Sequence, residues 1–284
     1  MLPPCRDNLA PMTRTKLVTT CATTLFVALS LVACDQGSGS SFARKSTTTS
    51  SQQSPVDDGT SSNGEENELP DDADTGDAGD ATGQPAPALS AVDINAARTA
   101  LGSLPTRGFS PNVPKYDRNE FGKPWSDDVT VDGGHNGCDT RNDILARDLT
   151  DVEFKPAKRN CIVTKGKLND PYTNTTIEFK RGRKSSDLIP IDHVVALGDA
   201  WYSGAYQWDA DRRRNFANDP INLQATNRES NTQKSAKNAA EWLPPNTAYQ
   251  CEYVGRQITI KSTYGLSVTP AEKNAMEKVL ATCS

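Results

Sequence analysis

Five polar residues in the C-terminal half have the types that chemistry at phosphorus requires. Asp192 and His193 are adjacent, Asn222 follows, and Asn231 and Lys234 close the group. Hydrolysis of a phosphodiester needs a base for the attacking water, a cation to neutralise charge on the phosphorane and leaving oxygen, and ligands to fix that cation. Asp192-His193, Asn222 and Asn231-x-x-Lys234 supply one of each. A lone Asp-His pair is weak evidence, so the weight rests on the spacing of all five and on the elements beneath them.

Those elements read as follows. Asp187 to Val195 (DLIPIDHVV) is apolar and β-branched around the Asp-His pair, which predicts a strand delivering both side chains at its end. Residues 196–205 and 210–217 read as helices, the second with Asp209 as N-cap. A second strand is predicted over Ile221–Thr226, then a helix over Ser230–Leu243, stopped by Pro244-Pro245. The order is strand, insertion, strand, helix. Around it, helices are expected over 91–104, with Asp93 early, and over 142–149. Short antiparallel strands are expected over 152–154, 161–165 and 175–179, a last strand over Gly255–Ser262, and a final helix over Pro270–Leu280. The class is α+β.

At IDHVVAL (191–197) and NLQATNRESNTQKS (222–235) the sequence resembles the HNH, or ββα-metal (His-Me finger), nuclease superfamily. The resemblance is to its exported bacterial His-Asn-Asn branch, in which the last histidine is replaced by asparagine. The nine-residue step from Asn222 to Asn231, with Lys234 and Ser235 after it, also resembles the HNH domain of RNA-guided nucleases. The flanks GCDTRNDILARDL (137–149), DPYT (170–173) and AEWLPPN (240–246) look like the exported branch, so the resemblance covers roughly residues 105–284.

The resemblance implies that His193 is the general base, Asp192 and Asn231 are the metal ligands, and Asn222 holds the loop of the base. Lys234 would bind a phosphate as a point charge at the helix start. With Asn231 a neutral oxygen ligand, the site would favour one divalent cation, Mg²⁺ or Mn²⁺, over Zn²⁺. Twenty-eight residues separate His193 from Asn222, more than a minimal ββα motif needs, so residues 198–218 must fold as a helical insertion. The substrate expected is nucleic acid, DNA first, with no obligate protein partner.

Further basic residues are candidate phosphate contacts. Arg141 stands near Cys138, and Arg212, Arg213 and Arg214 form a triplet on the insertion helix, where a solvated face is the competing reading. Trp201, Tyr202, Tyr206 and Trp208 are read mainly as core, His135 as a loop residue among glycines, and Asn227 as a loop or cap residue.

The N-terminus carries Arg14 and Lys16, then an apolar run from Leu25 to Val32 broken only by Ser30, then Ala33-Cys34. That is the order of a secretory signal, and Cys34 falls where a lipobox would be cut and diacylated. Residues 1–33 are the expected lipoprotein-type signal, 34–90 a disordered acidic tether, and 91–284 the nuclease domain. From Gly37 to about Leu89 almost nothing is apolar, ten acidic residues lie between Asp57 and Asp80, and no Lys or Arg occurs between Lys45 and Arg98. The formal charge of −5 therefore belongs to the tether: residues 91–284 hold 26 basic and 24 acidic residues. The membrane enters only through the lipid anchor. The protein is expected to face outward from the cell membrane, or to be secreted if not lipidated.

Four cysteines remain in the domain, Cys138, Cys161, Cys251 and Cys283. An even number in an exported domain suggests two disulfides, and the sequence-local pairing, Cys138 with Cys161 and Cys251 with Cys283, is favoured of the three. A zinc site is disfavoured because no CxxC spacing and only two histidines are present. The main alternative is a non-catalytic cell-surface binding protein retaining a nuclease fold. A serine hydrolase is disfavoured by the absence of a GxSxG elbow.

Overall fold

Two apolar cores organise the domain, and the chain passes from one to the other at the Asp-His pair. The computed structural model describes residues 90–156, 160–182 and 185–284. The proposed signal, Cys34 and all of the tether except Ser90 lie outside them.

The first core is helical. Helices α1 (Ile94–Ser103), α3 (Leu197–Ser203), α4 (Ala210–Asn218), α6 (Gln250–Tyr264) and α7 (Pro270–Leu280) pool Leu101, Trp201, Phe216, Val254, Ile258 and Met276. Asp93 caps α1 by accepting from the amides of Asn95 and Ala96, and Thr269 and Glu272 form a capping box on α7. α1 can lie close on α6 because residue 255 is glycine: a Cβ there would sit 2.3 Å from Cγ1 of Val92.

The second core lies under a three-stranded antiparallel sheet in the order β1 (Leu149–Phe154), β2 (Val163–Asp170), β3 (Thr175–Lys180). It combines Val163, Leu168 and Phe179 with Ile144 and Leu145 of α2 (Thr140–Asp148), and with Ile191, Leu223 and Ala225. Those last three belong to β4 (Ile191–His193) and β5 (Leu223–Ala225), an antiparallel pair in which Asp192 faces Gln224 and His193 faces Leu223. α5 (Arg228–Lys234) follows β5, so α3 and α4 form the helical insertion between the two strands. The molecule is mixed α and β with antiparallel pairing. Ile191 belongs to the second core and Val194 to the first, leaving Asp192 and His193 at the crossing.

Three expectations are corrected. Residues 255–262 are not a strand but the middle of α6, which is buried on most sides at Tyr253–Ile258, Ile260, Lys261 and Tyr264. A helix so enclosed shows a near-continuous buried run, and GRQITIK reads locally as a strand. The helix expected over 230–243 is only seven residues long and ends at Ser235, whose φ of +47° breaks the helical path. The strand expected over 187–195 shrinks to Ile191–His193, with a 3₁₀ turn at Ser186–Leu188 before it.

Candidate active site

Strands of three residues do not hold themselves in place, and side chains from behind do so here. Asp148 at the end of α2 accepts from the backbone amide of Ala225 (2.7 Å) and from Nε2 of Gln224 (3.1 Å). Arg256 of α6 donates to Oε1 of Gln224 and to the carbonyls of Ile221 and Leu223. Asn222, fully buried, accepts from the amide of Val195 (2.8 Å) through its side chain, and its carbonyl accepts from the amide of Val194 (2.8 Å). It clasps the chain immediately after His193.

His193 is buried, with Nε2 2.9 Å from the carbonyl oxygen of Ala217 near the end of α4. A carbonyl only accepts, so Nε2 carries the hydrogen and Nδ1 keeps the lone pair. The indole of Trp125, half-buried, lies nearly parallel to the imidazole, with an interplanar angle of 12° and ring centroids 6.0 Å apart. Trp125 is held at φ +57°, a backbone state that costs energy for a large side chain. Burial pushes the imidazole pKa down, Arg118 and Lys234 push it further, and the Ala217 carbonyl only partly offsets them, leaving a value of about 3. The ring is therefore neutral across physiological pH.

Asp192 turns the other way. Its Oδ1 accepts from Nζ of Lys234 (2.9 Å) and its Oδ2 from the hydroxyl of Tyr172 (2.7 Å). Lys234 also donates to the carbonyl of His193 (2.7 Å). Lys234 and Tyr172 are fully buried and Asp192 is 5% exposed. Burial pushes the Asp192 carboxyl above its ordinary value, while Lys234 and Tyr172 pull it back. This corrects the placing of Lys234: it is the last residue of α5, not at its start, and it faces inward where no phosphate reaches.

Tyr172 comes from the tight β2–β3 connection. Asp170 folds that turn by accepting from the amides of Tyr172 and Thr173, and it also accepts from the hydroxyl of Thr226 (2.8 Å) and the amide of Asn227 (3.2 Å). One carboxylate thus fixes both the turn that carries Tyr172 and the step from β5 into α5. DPYT was visible as a motif, but nothing local said that its tyrosine meets Asp192. The carbonyl of Ala217 has no side-chain signature at all.

Asn231 is half-buried on α5; its backbone amide donates to the carbonyl of Asn227 (3.0 Å), and its side-chain amide makes no hydrogen bond among the described residues. Asn227 caps α5 by accepting from the amide of Ser230. An oxygen-ligated cation fits Asn231, whose donor is open. It does not fit Asp192 as that residue stands, since both oxygens are engaged and its charge is met by Lys234. Among the described residues no group of three His, Cys, Asp or Glu side chains is placed to hold a metal.

The arginine triplet makes intramolecular contacts, with Arg212 exposed and Arg213 and Arg214 half-buried. Arg212 stacks on Trp208 (4.7 Å) and donates to the carbonyl of Tyr264, Arg213 binds Glu120 and the carbonyl of Trp208, and Arg214 pairs with Asp211 and Asp128. These contacts tie residues 120–128, with Trp208 and Tyr264, to α4. Arg141 donates to the carbonyls of Ser186 and Ile189, fastening the entry to β4. His135 is an exposed loop residue at φ +55°. Cys138 is joined to Cys161 and Cys251 to Cys283, with Cα separations of 5.2 and 5.8 Å.

Residues 139–279 match the family model described as GmrSD restriction endonucleases, C-terminal domain. Over 203 residues the chain is 37% identical to an uncharacterized secreted protein of Arthroderma benhamiae, covering 70% of this chain and 92% of that protein. No solved structure matches. The disulfides and the secreted relative fit an exported protein. Among the described residues no helix is long and apolar enough to cross a membrane.

Proposed function

Because the chain belongs to the family of that secreted protein, and residues 139–279 match a domain of the nuclease superfamily, we propose that it is an exported nuclease hydrolysing phosphodiester bonds, DNA first. The observation that carries this reading is the neutral His193, pinned at Nε2 by the Ala217 carbonyl with its Nδ1 lone pair free.

In the proposed reaction a phosphodiester lies against His193, and Nδ1 takes the proton of a water attacking in line. The oxygen–phosphorus bond forms opposite the breaking bond to the leaving oxygen, which picks up a proton from solvent. The charge that appears on the imidazole is steadied by the Ala217 carbonyl and by the developing negative charge on phosphorus. An arriving phosphate also raises the pKa of the ring from its resting value, which makes it a better base when substrate is bound. Asn222 keeps the strand end that carries the ring from fraying. A divalent cation, Mg²⁺ or Mn²⁺ for oxygen donors, supplies neutralisation of the phosphorane when bound, and Asn231 would hold it.

Cleavage of plasmid DNA and of RNA by the purified protein, with Mg²⁺ or Mn²⁺ and with EDTA, tests this. Activity is expected with either metal, to vanish in EDTA, and to fall by ~10² or more in His193→Ala. A folded wild-type protein that cleaves nothing would return the chain to the binding-protein reading. Undiminished cleavage in EDTA would remove the cation from it.

The export proposal includes lipidation at Cys34. Wild-type protein is expected in the membrane fraction, with Cys34→Ser released, since two acyl chains suffice for stable attachment. Wild-type protein found wholly in the medium would leave secretion and remove the anchor.

A further inference from the structure

A carboxylate that ligates a catalytic divalent cation must turn a lone pair toward an open, substrate-facing position. Asp192 does not. Its two oxygens meet an ammonium at 2.9 Å and a phenol at 2.7 Å, all within a volume closed to solvent. Adding a divalent ion to the same oxygens would set it against the ammonium, and driving Lys234 off would strand a charge that is 0% exposed. From this arrangement, and resting on the nuclease reading above, we infer that Asp192 is the counter-ion of Lys234 and positions the base, rather than binding the metal.

Lys234 has a second bond, to the carbonyl of His193 itself. The ion pair thereby docks the end of α5 onto the backbone of the residue that carries the imidazole. Asn231 stands three residues earlier on the same helix, on a neighbouring position of its surface. The pair therefore sets how far Asn231 stands from His193, with Asn222 closing the strand end from the other side. Asp192 and Lys234 are positioning residues and touch no reacting atom. An anionic oxygen ligand, if the cation needs one, comes from the substrate phosphate and not from Asp192.

The test uses the full chain in four forms: wild type, Asp192→Asn, Lys234→Met, and the double variant. Thermal unfolding is followed without metal, and the Mn²⁺ concentration giving half-maximal cleavage is measured on plasmid DNA. The two single losses of stability are expected to be strongly non-additive, with the double variant more stable than Lys234→Met, because it leaves no unpaired buried charge. The half-saturating Mn²⁺ concentration of Asp192→Asn is expected to stay within about threefold of wild type, while kcat falls more than KM rises. Additive losses, or a tenfold or greater rise in the Mn²⁺ requirement, would overturn the inference.

Should the single variants not fold, the wild-type protein decides. With ¹⁵N-labelled lysine, the enclosed Lys234 ammonium is expected to keep its resonance when Mg²⁺ saturates the protein, and its displacement would show that Asp192 had changed partner. Failure of the nuclease reading appears separately, as absence of wild-type cleavage, and leaves the unfolding and resonance results interpretable.

Discussion

Two fully buried lysines hold this domain together, and they do so for different ends. Lys261 in α6 meets two carboxylates, Asp199 at 2.7 Å and Glu272 at 2.7 Å, and Arg107 approaches Asp199 from the other side at 3.4 Å. Burial works against the ammonium there, but Asp199 and Glu272 outweigh it and leave its pKa above the ordinary value. The group ties α3, α6 and α7 together and balances its own charge. Lys234 meets a single carboxylate and gives its other bond to the backbone of His193. A buried lysine is thus no mark of a reactive site in itself. What separates the two is the last partner: a second acid in one case, and the chain of the candidate base in the other.

The sharpest way to break that contrast is to remove the charge from the structural cluster. Lys261→Met leaves Asp199 and Glu272 buried without their shared cation, a change expected to cost about 3–5 kcal/mol. The yield of exported, folded protein and its thermal midpoint should fall steeply, while cleavage per folded molecule should stay near wild type. Loss of activity at an unchanged midpoint would show that this cluster also reaches the site.

The disulfides offer the next comparison, since one lies in each region. Cys251–Cys283 fastens the start of α6 to the C-terminus, and Cys138–Cys161 fastens the approach to α2 against the start of β2. Replacing either pair with serine should cost roughly 2–4 kcal/mol. Only the second should lower cleavage at temperatures below unfolding, because α2 carries the Asp148 that clamps β5. Equal losses of activity from both would erase the distinction between the regions.

The same contrast explains what was legible in the sequence. Asp192, His193 and Asn222 announce themselves through local spacing, and the order of strand, insertion, strand and helix follows from the stretches around them. α7 appears at its expected residues because Thr269, Pro270 and Glu272 spell its start locally. The partners of those residues do not announce themselves. Lys234 reads as a phosphate-binding point charge, because its burial is decided 42 positions away by Asp192, and Tyr172 is decided across 20. α6 reads as a strand because its buried face includes Arg256, Gln257 and Lys261, polar groups whose partners come from Val194 after β4, from β5, and from α3 and α7. The arginine triplet reads as a phosphate patch until Glu120, Asp128 and the carbonyls of Trp208 and Tyr264 are brought against it.

A smaller effect concerns the pH dependence of the base. With its pKa lowered to about 3, His193 in the free enzyme should contribute no inflection to kcat/KM near the ordinary histidine value of 6.5. The profile should vary less than about twofold between pH 5 and 6.5, once metal binding is saturated. An acid limb centred near 6.5 would mean that the ring is more open to water than its place beneath Trp125 and Ala217 implies.

The smallest expected effect comes from a third kind of buried acid, one with no lysine beside it among the described residues. Asp143, in the first turn of α2, accepts from the side-chain amide of Asn136 (3.1 Å) and lies near Asp139 and Asp127. Those two neighbours accept from backbone amides, Asp139 from Asn142 and Asp127 from Asn136 and Gly137. Burial pushes the Asp143 carboxyl up from 3.8 to about 7, the Asn136 bond lowers it a little, and the two neighbouring acids raise it again. Where Asp192 and Asp199 have an ammonium, Asp143 has, among the described residues, only a proton to neutralise it. The folded state holds that proton more tightly than the unfolded chain does, so the stabilisation is complete below 3.8 and is lost as pH rises through about 7. The thermal midpoint of wild type should therefore fall between about pH 4 and 7. Asp143→Asn, which keeps an oxygen for Asn136 but cannot ionise, should flatten that fall and stand on the order of 2–4 °C above wild type at pH 8. At about pH 3.5, below the unfolded-state value, the side chain is neutral both folded and unfolded, and the two proteins should melt together. Parallel curves across the whole range would mean that Asp143 is ionised at neutral pH, with a positive charge or solvent relieving it as lysine relieves the other two.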